Sequence, residues 1–129
     1  MTVELTLLLW SLALYAFYLG AQTLILRRER GLVFAATARD NAPDKSDLEL
    51  RADRALKNFQ ETWWVFIILA LVAHLSGPGD GFVFWGALVW FAARLAYLPL
   101  YLGGTFLYRS LVWNVSLIGL VLMAWGVLF

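Results

Sequence analysis

The chain has no cysteine. Disulfides, thiolate metal sites and a cysteine nucleophile are therefore excluded. Its one histidine, His74, cannot build a multi-histidine metal site. Charge is scarce as well: 15% of the 129 residues are Asp, Glu, Lys or Arg, against about 25% in soluble domains. The two signs nearly cancel, to a net +1, so the electrostatic footprint of a nucleic-acid binder is missing. Helix breakers are also sparse. Between Gly31 and Gly77 there is no glycine, and no proline falls between Pro43 and Pro78.

What is abundant is apolar surface: 62% of residues are hydrophobic and the mean hydropathy is +0.73. This is the composition of one integral membrane domain spanning residues 1–129. Leu5–Leu26 is 22 residues without a charge. It is too long for a secretory h-region, and its positive charges follow it instead of preceding it, so a retained first span is expected. A helix needs about 20 mostly apolar residues to cross a bilayer. Val3–Leu26, Phe82–Leu102 and Ser110–Phe129 meet that requirement. A fourth stretch, Phe59–Ser76, is the second span in chain order and has few apolar residues at its start. The expected fold is an all-α, four-helix membrane bundle.

Ser46-Asp47-Leu48-Glu49 has the spacing of a capping box. From there to Ser76 nothing breaks a helix, so the second long helix is expected to run about 30 residues, or about 45 Å. That exceeds the bilayer core, and its N-terminal part should stand in the interface. Gly31–Asp44 reads as an irregular loop with Asn41-Ala42-Pro43-Asp44 as its turn signal, and Gly77–Gly81 as a tight turn. Eight of the ten basic residues lie in or beside the first loop: Arg27, Arg28, Arg30, Arg39, Lys45, Arg51, Arg54 and Lys57. The second loop has none and the third brings Arg109. By the positive-inside rule, loops one and three are cytoplasmic and both termini lie on the other side.

Two polar rows enter the apolar segments. Arg54, Asn58 and Glu61 fall on one helix face where the chain enters the membrane. Arg94, Tyr97 and Tyr101 share a face late in the third span, with Pro99 between them. Ionisable groups at membrane depth usually face a bundle interior or a polar cavity. Three guanidinium groups, an amide, a carboxylate and phenols suit an elongated, zwitterionic ligand with carboxylates. A guanidinium also lowers a neighbouring thiol's pKa from about 8.5, and any such thiol must come from the ligand. Each row has a bland reading. Arg54 and Lys57 can snorkel to lipid phosphates, Lys57 and Glu61 can pair along the helix, Arg94 can pair with Glu61, and the tyrosines can form an interfacial belt.

Arg54-x-x-x-Asn58-x-x-Glu61 followed by Arg94-x-x-Tyr97-x-x-x-Tyr101, in a four-span chain of this length, resembles the MAPEG family, the membrane-associated proteins in eicosanoid and glutathione metabolism. The resemblance covers nearly the whole chain and is strongest to short bacterial members. It implies a homotrimer that holds glutathione between neighbouring subunits near the cytoplasmic face. Arg54, Asn58 and Glu61 would contact it from one subunit, and Arg94, Tyr97 and Tyr101 would complete the pocket. A basic residue at the end of span one would correspond to Arg27, Arg28 or Arg30. The thiolate-stabilising position of catalytic members falls on Arg109 or, in a shifted register, on Tyr108. Trp64 stands where the family often has proline. The implied activity is a glutathione-dependent transferase or peroxidase. It would act on a lipophilic electrophile or hydroperoxide without a metal, among the lipids of a bacterial inner membrane. A non-catalytic lipid-binding or scaffold protein on the same fold is the alternative. A small four-span exporter fits poorly, because the only acid of the first span is Glu4, at its very start.

Overall fold

The structure, a computed structural model, describes residues 1–36, 45–77 and 81–129. The turn signals at Asn41–Asp44 and Pro78–Asp80, and Arg39, lie outside the described residues. The described residues fold as five helices: α1 (Val3–Arg30), α2 (Leu32–Ala36), α3 (Asp47–Ser76), α4 (Gly81–Leu102) and α5 (Phe106–Leu128). Val3–Arg30, Asp47–Ser76, Gly81–Leu102 and Leu107–Leu128 are each long and apolar enough to cross a membrane. The short α2 occupies the start of the segment expected to be irregular.

Local chemistry sets the helix ends. Ser46 is extended, with φ −65° and ψ 163°, and its Oγ accepts the Glu49 N–H at 3.2 Å. That is half of the expected capping box. The Glu49 side chain turns instead to Arg30, whose Nε donates to both carboxylate oxygens at 2.9 and 2.8 Å. Arg30 also lies over the Phe34 ring, 5.2 Å from its centre. The helix α4 continues past Pro99 and stops before Gly103-Gly104. Gly104 has φ +74°, a left-handed conformation that glycine adopts without steric cost. The Arg51 guanidinium packs 3.3 Å from where a Cβ on Gly104 would be and donates to the Leu102 carbonyl at 3.5 Å.

Lipid tails are as apolar as leucine, so helices in a bilayer associate through close packing and hydrogen bonds. Both are present. A Cβ on Gly86 would stand 2.6 Å from the Gly119 carbonyl, and one on Gly119 would stand 2.7 Å from the Trp90 nitrogen. These two glycines let α4 and α5 touch backbone to backbone. Polar pins join α1 to α3: Trp63 Nε1 donates to Ser11 Oγ at 2.8 Å, and Gln22 Nε2 to Asp53 Oδ1 at 2.8 Å. Between them runs an aromatic column. Phe66 stacks on Trp90 with centroids 4.0 Å apart and planes 8° apart, and Tyr18 meets Phe59 at 4.6 Å. Trp10, Phe17, Trp64, Trp85 and Trp125 point outward, as suits a surface solvated by lipid.

Candidate functional site

Three helices meet at one open cleft of about 400 Å³. From α3 comes Asn58, and from α4 come Tyr97 and Tyr101, one helical turn apart with ring centres 5.4 Å from each other. The first three turns of α5 supply Arg109, Ser110, Trp113 and Asn114. Arg109 stacks over the Tyr101 ring with its guanidinium carbon 4.6 Å from the ring centre. A guanidinium lying on an aromatic face presents its N–H groups in the plane of the fork, at its edges. Tyr108 is 60% exposed and does not line the cleft.

Arg94 lies behind this wall. It is fully buried, donates from Nη1 to Asn58 Oδ1 at 2.6 Å, and stands 5.1 Å from the centre of the Tyr97 ring. Its own carbonyl accepts from the Tyr18 hydroxyl at 2.7 Å. Among the described residues its Nε and Nη2 have no hydrogen-bond partner. No ion pair joins Arg94 to Glu61 among those residues. Glu61 is exposed, yet it lies within electrostatic range of both Arg94 and Tyr97. The second-span row therefore splits. Asn58 turns inward to the cleft, while Arg54 and Glu61 face outward. Arg27 and Arg28 are also exposed, away from the cleft, and Arg30 is held by Glu49.

The sequence reading did not single out Trp113, Asn114 or Tyr18. A usable signal existed for Asn114, the one amide in the otherwise apolar fourth span. Its Nδ2 donates to the Ser110 carbonyl at 2.9 Å, one turn back. For Tyr18 there was none, because a tyrosine in a span reads as ordinary apolar filling until its hydroxyl's partner is known. Among the described residues no group of three or more His, Asp or Glu side chains could hold a metal ion.

A family model described as the MAPEG family matches residues 5–129. The chain belongs to the MAPEG family. The match takes in all four spans, both polar rows and the cleft. Neither a curated protein nor a solved structure matches it. As a MAPEG protein it is an integral membrane protein of a family that works in glutathione and eicosanoid metabolism. On this MAPEG chain the expected site residues divide between a cleft holding Arg109, Asn58 and two tyrosines, and an outward row of Arg54 and Glu61.

Proposed function

We propose that this MAPEG protein is a glutathione-dependent transferase or peroxidase acting on lipophilic electrophiles or hydroperoxides. The observation that carries this reading is Arg109 stacked on Tyr101 in a cleft that also holds Asn58 and Tyr97. A cation held at the rim of a polar cleft, beside apolar helix faces, can stabilise a thiolate next to a reactant dissolved in the bilayer. Arg54 and Glu61 face outward, which suits groups that complete a neighbour's site in a homotrimer.

In this reading arginines take glutathione's carboxylates and Glu61 takes its ammonium group. Arg109 lowers the thiol's pKa by favouring the charged form. The thiolate then attacks an electrophilic carbon, and the leaving group departs with its bonding pair. On a hydroperoxide it attacks the distal oxygen and the alkoxide takes a proton from water. A second thiol then displaces hydroxide from the sulfenic acid to give the disulfide. The protein's contribution is juxtaposition of a polar and an apolar reactant, and electrostatic activation of the nucleophile. The cleft end of the bundle, with the basic first loop, faces the cytoplasm of a bacterial inner membrane, and both termini face away.

The test uses purified protein in detergent. Glutathione alone should raise the unfolding temperature, since a ligand that binds only the native state stabilises it. With 1-chloro-2,4-dinitrobenzene, turnover should fall in Arg109→Ala while glutathione stabilisation persists. An unfolding temperature indifferent to glutathione rejects the reading in favour of a non-catalytic, lipid-binding role for the fold.

A further inference from the structure

Asn114 is the one amide of α5, and past Arg109 that helix has no charged residue. It is the ninth residue of the helix, about 12 Å along the axis from the start at 1.5 Å per residue. Its side chain is exposed and lines the Arg109 cleft. Leu111 and Ile118, about one turn to either side of it, are 60% and 55% exposed. They belong to the apolar surface that this span offers to lipid. Asn114 therefore stands on a seam, with a lipid-facing stripe along the helix and a polar cleft beside it.

The amide has bonding capacity to spare. Nδ2 donates to the Ser110 carbonyl at 2.9 Å, within its own helix. That bond orients the side chain and leaves its second N–H and its carbonyl oxygen for other partners. An amide facing hydrocarbon without partners is costly. The seam calls for a group that both donates and accepts, carried on an apolar body. The two reactant classes of the proposed reaction differ here. An aryl halide, an epoxide or an unsaturated carbonyl has no O–H or N–H to give. A hydroperoxide has both functions side by side: a terminal O–H that donates and an inner oxygen that accepts.

We infer that the second reactant is a lipid hydroperoxide whose O–O–H group meets Asn114, and that Asn114 sets the preference for it over aryl halides. The inference rests on the glutathione reading of the cleft. The acyl body lies along Leu111 and Ile118. Asn114 Oδ1 accepts from the terminal O–H, and Nδ2 donates to the inner oxygen. Glutathione's thiolate sulfur attacks the terminal oxygen, and the S–O bond forms as the O–O bond breaks. The electron pair leaves on the inner oxygen, where the Asn114 N–H stabilises the gathering charge. The alkoxide takes a proton from water and departs as the alcohol. A second glutathione thiol converts the sulfenic acid to the disulfide and releases water.

The experiment measures kcat/KM of the full chain in dodecyl maltoside with saturating glutathione, for linoleic acid hydroperoxide and for 1-chloro-2,4-dinitrobenzene. Asn114→Leu should lower the ratio of the first to the second by at least about tenfold, the worth of one hydrogen bond to a group gaining charge. Asn114→Ala, which adds no bulk, should do the same, and it decides if the leucine variant does not fold. A general loss of cleft shape or of assembly lowers both rates and leaves their ratio. An unmoved ratio in these variants therefore gives the amide to helix packing and overturns the inference, as does a parent that stabilises on glutathione yet turns over no hydroperoxide. A parent whose unfolding temperature ignores glutathione sinks the glutathione reading itself, and the inference with it.

Discussion

The Arg94 guanidinium donates to the Asn58 amide oxygen across 2.6 Å, from one helix to another, at a depth where Arg94 has no exposed surface. Each family motif supplies one partner. The two rows therefore meet through a bond within the protein before any ligand is considered. Asn58 stands between a buried cation and an open cleft, so its orientation is fixed from behind. Arg94 holds the Asn58 side chain from behind, and its expected place among the ligand contacts would be reached through that amide.

A buried charge that loses its acceptor is penalised more than one that is removed with it. Asn58→Leu is therefore expected to cost about 1.5–3 kcal/mol, the usual worth of a hydrogen bond to a charged group. The double variant Asn58→Leu/Arg94→Met should recover most of that loss, because no unpaired guanidinium remains. Reversible unfolding of detergent-solubilised protein in sodium dodecyl sulfate measures both. A double variant as unstable as Asn58→Leu would show that the cost lies elsewhere.

The α4–α5 crossing gives a second expectation. An alanine at Gly86 places its Cβ 2.6 Å from a backbone oxygen, and one at Gly119 places it 2.7 Å from a backbone nitrogen. Neither neighbour is a flexible side-chain end, so the helices must move apart. Overpacking of this kind costs about 1–3 kcal/mol. Gly20, also mid-helix, has nothing within 4 Å of its would-be Cβ. Gly20→Ala should be neutral or stabilising by up to about 1 kcal/mol, through helix propensity alone. The same unfolding assay compares the three. Equal losses at Gly20 and Gly86 would remove the packing argument.

Much of the fold was legible because membrane helices advertise themselves by length and hydropathy. The capping spacing at Ser46–Glu49 placed the start of α3, and Gly103-Gly104 placed the end of α4. Periodicity put Arg54, Asn58 and Glu61 on one face but could not say which of them the bundle would cover. Small rotations decide that, and only Asn58 faces the cleft. The family motifs likewise gave no hint that Gly119 would meet Gly86. That contact depends on the helix crossing, which has no local signature. Glu49 read as a cap from its spacing, and a long-range partner took its side chain.

That partner makes a separable prediction. Ser46→Ala removes the cap together with the hydroxyl's exposed bond to the Glu29 carboxylate and should cost about 1 kcal/mol. Glu49→Gln keeps a cap-compatible residue but leaves the buried Arg30 without its counter-charge, and breaking such a pair costs about 3–5 kcal/mol. Thermal unfolding of the two variants in dodecyl maltoside should therefore rank Glu49→Gln well below Ser46→Ala. The reverse order would mean that the capping role dominates and the ion pair contributes little.

Arg109 carries the chemical prediction, which is read most clearly in pH. A cation beside the thiol favours thiolate and holds the bound thiol's pKa below its ordinary value of about 8.5. Removing the cation returns the pKa upward. The parent should then be active at neutral pH with a flat profile above it, while Arg109→Ala should climb through pH 8–9. A neighbouring opposite charge shifts a pKa by roughly 1–3 units, which raises the thiolate fraction at pH 7 by roughly 8- to 30-fold, but a less basic thiolate is also less nucleophilic, with a Brønsted slope near 0.5, so the net neutral-pH loss should be only about 1- to 3-fold. Above the thiol's ordinary pKa both forms are ionised, and the gap should close or reverse. Single-turnover rates across pH, together with the ultraviolet absorbance of bound thiolate, follow both quantities at once. Parallel pH profiles for the parent and Arg109→Ala would mean that Arg109 holds the ligand and leaves thiol ionisation unchanged, and the thiolate-stabilising role would have to be given up.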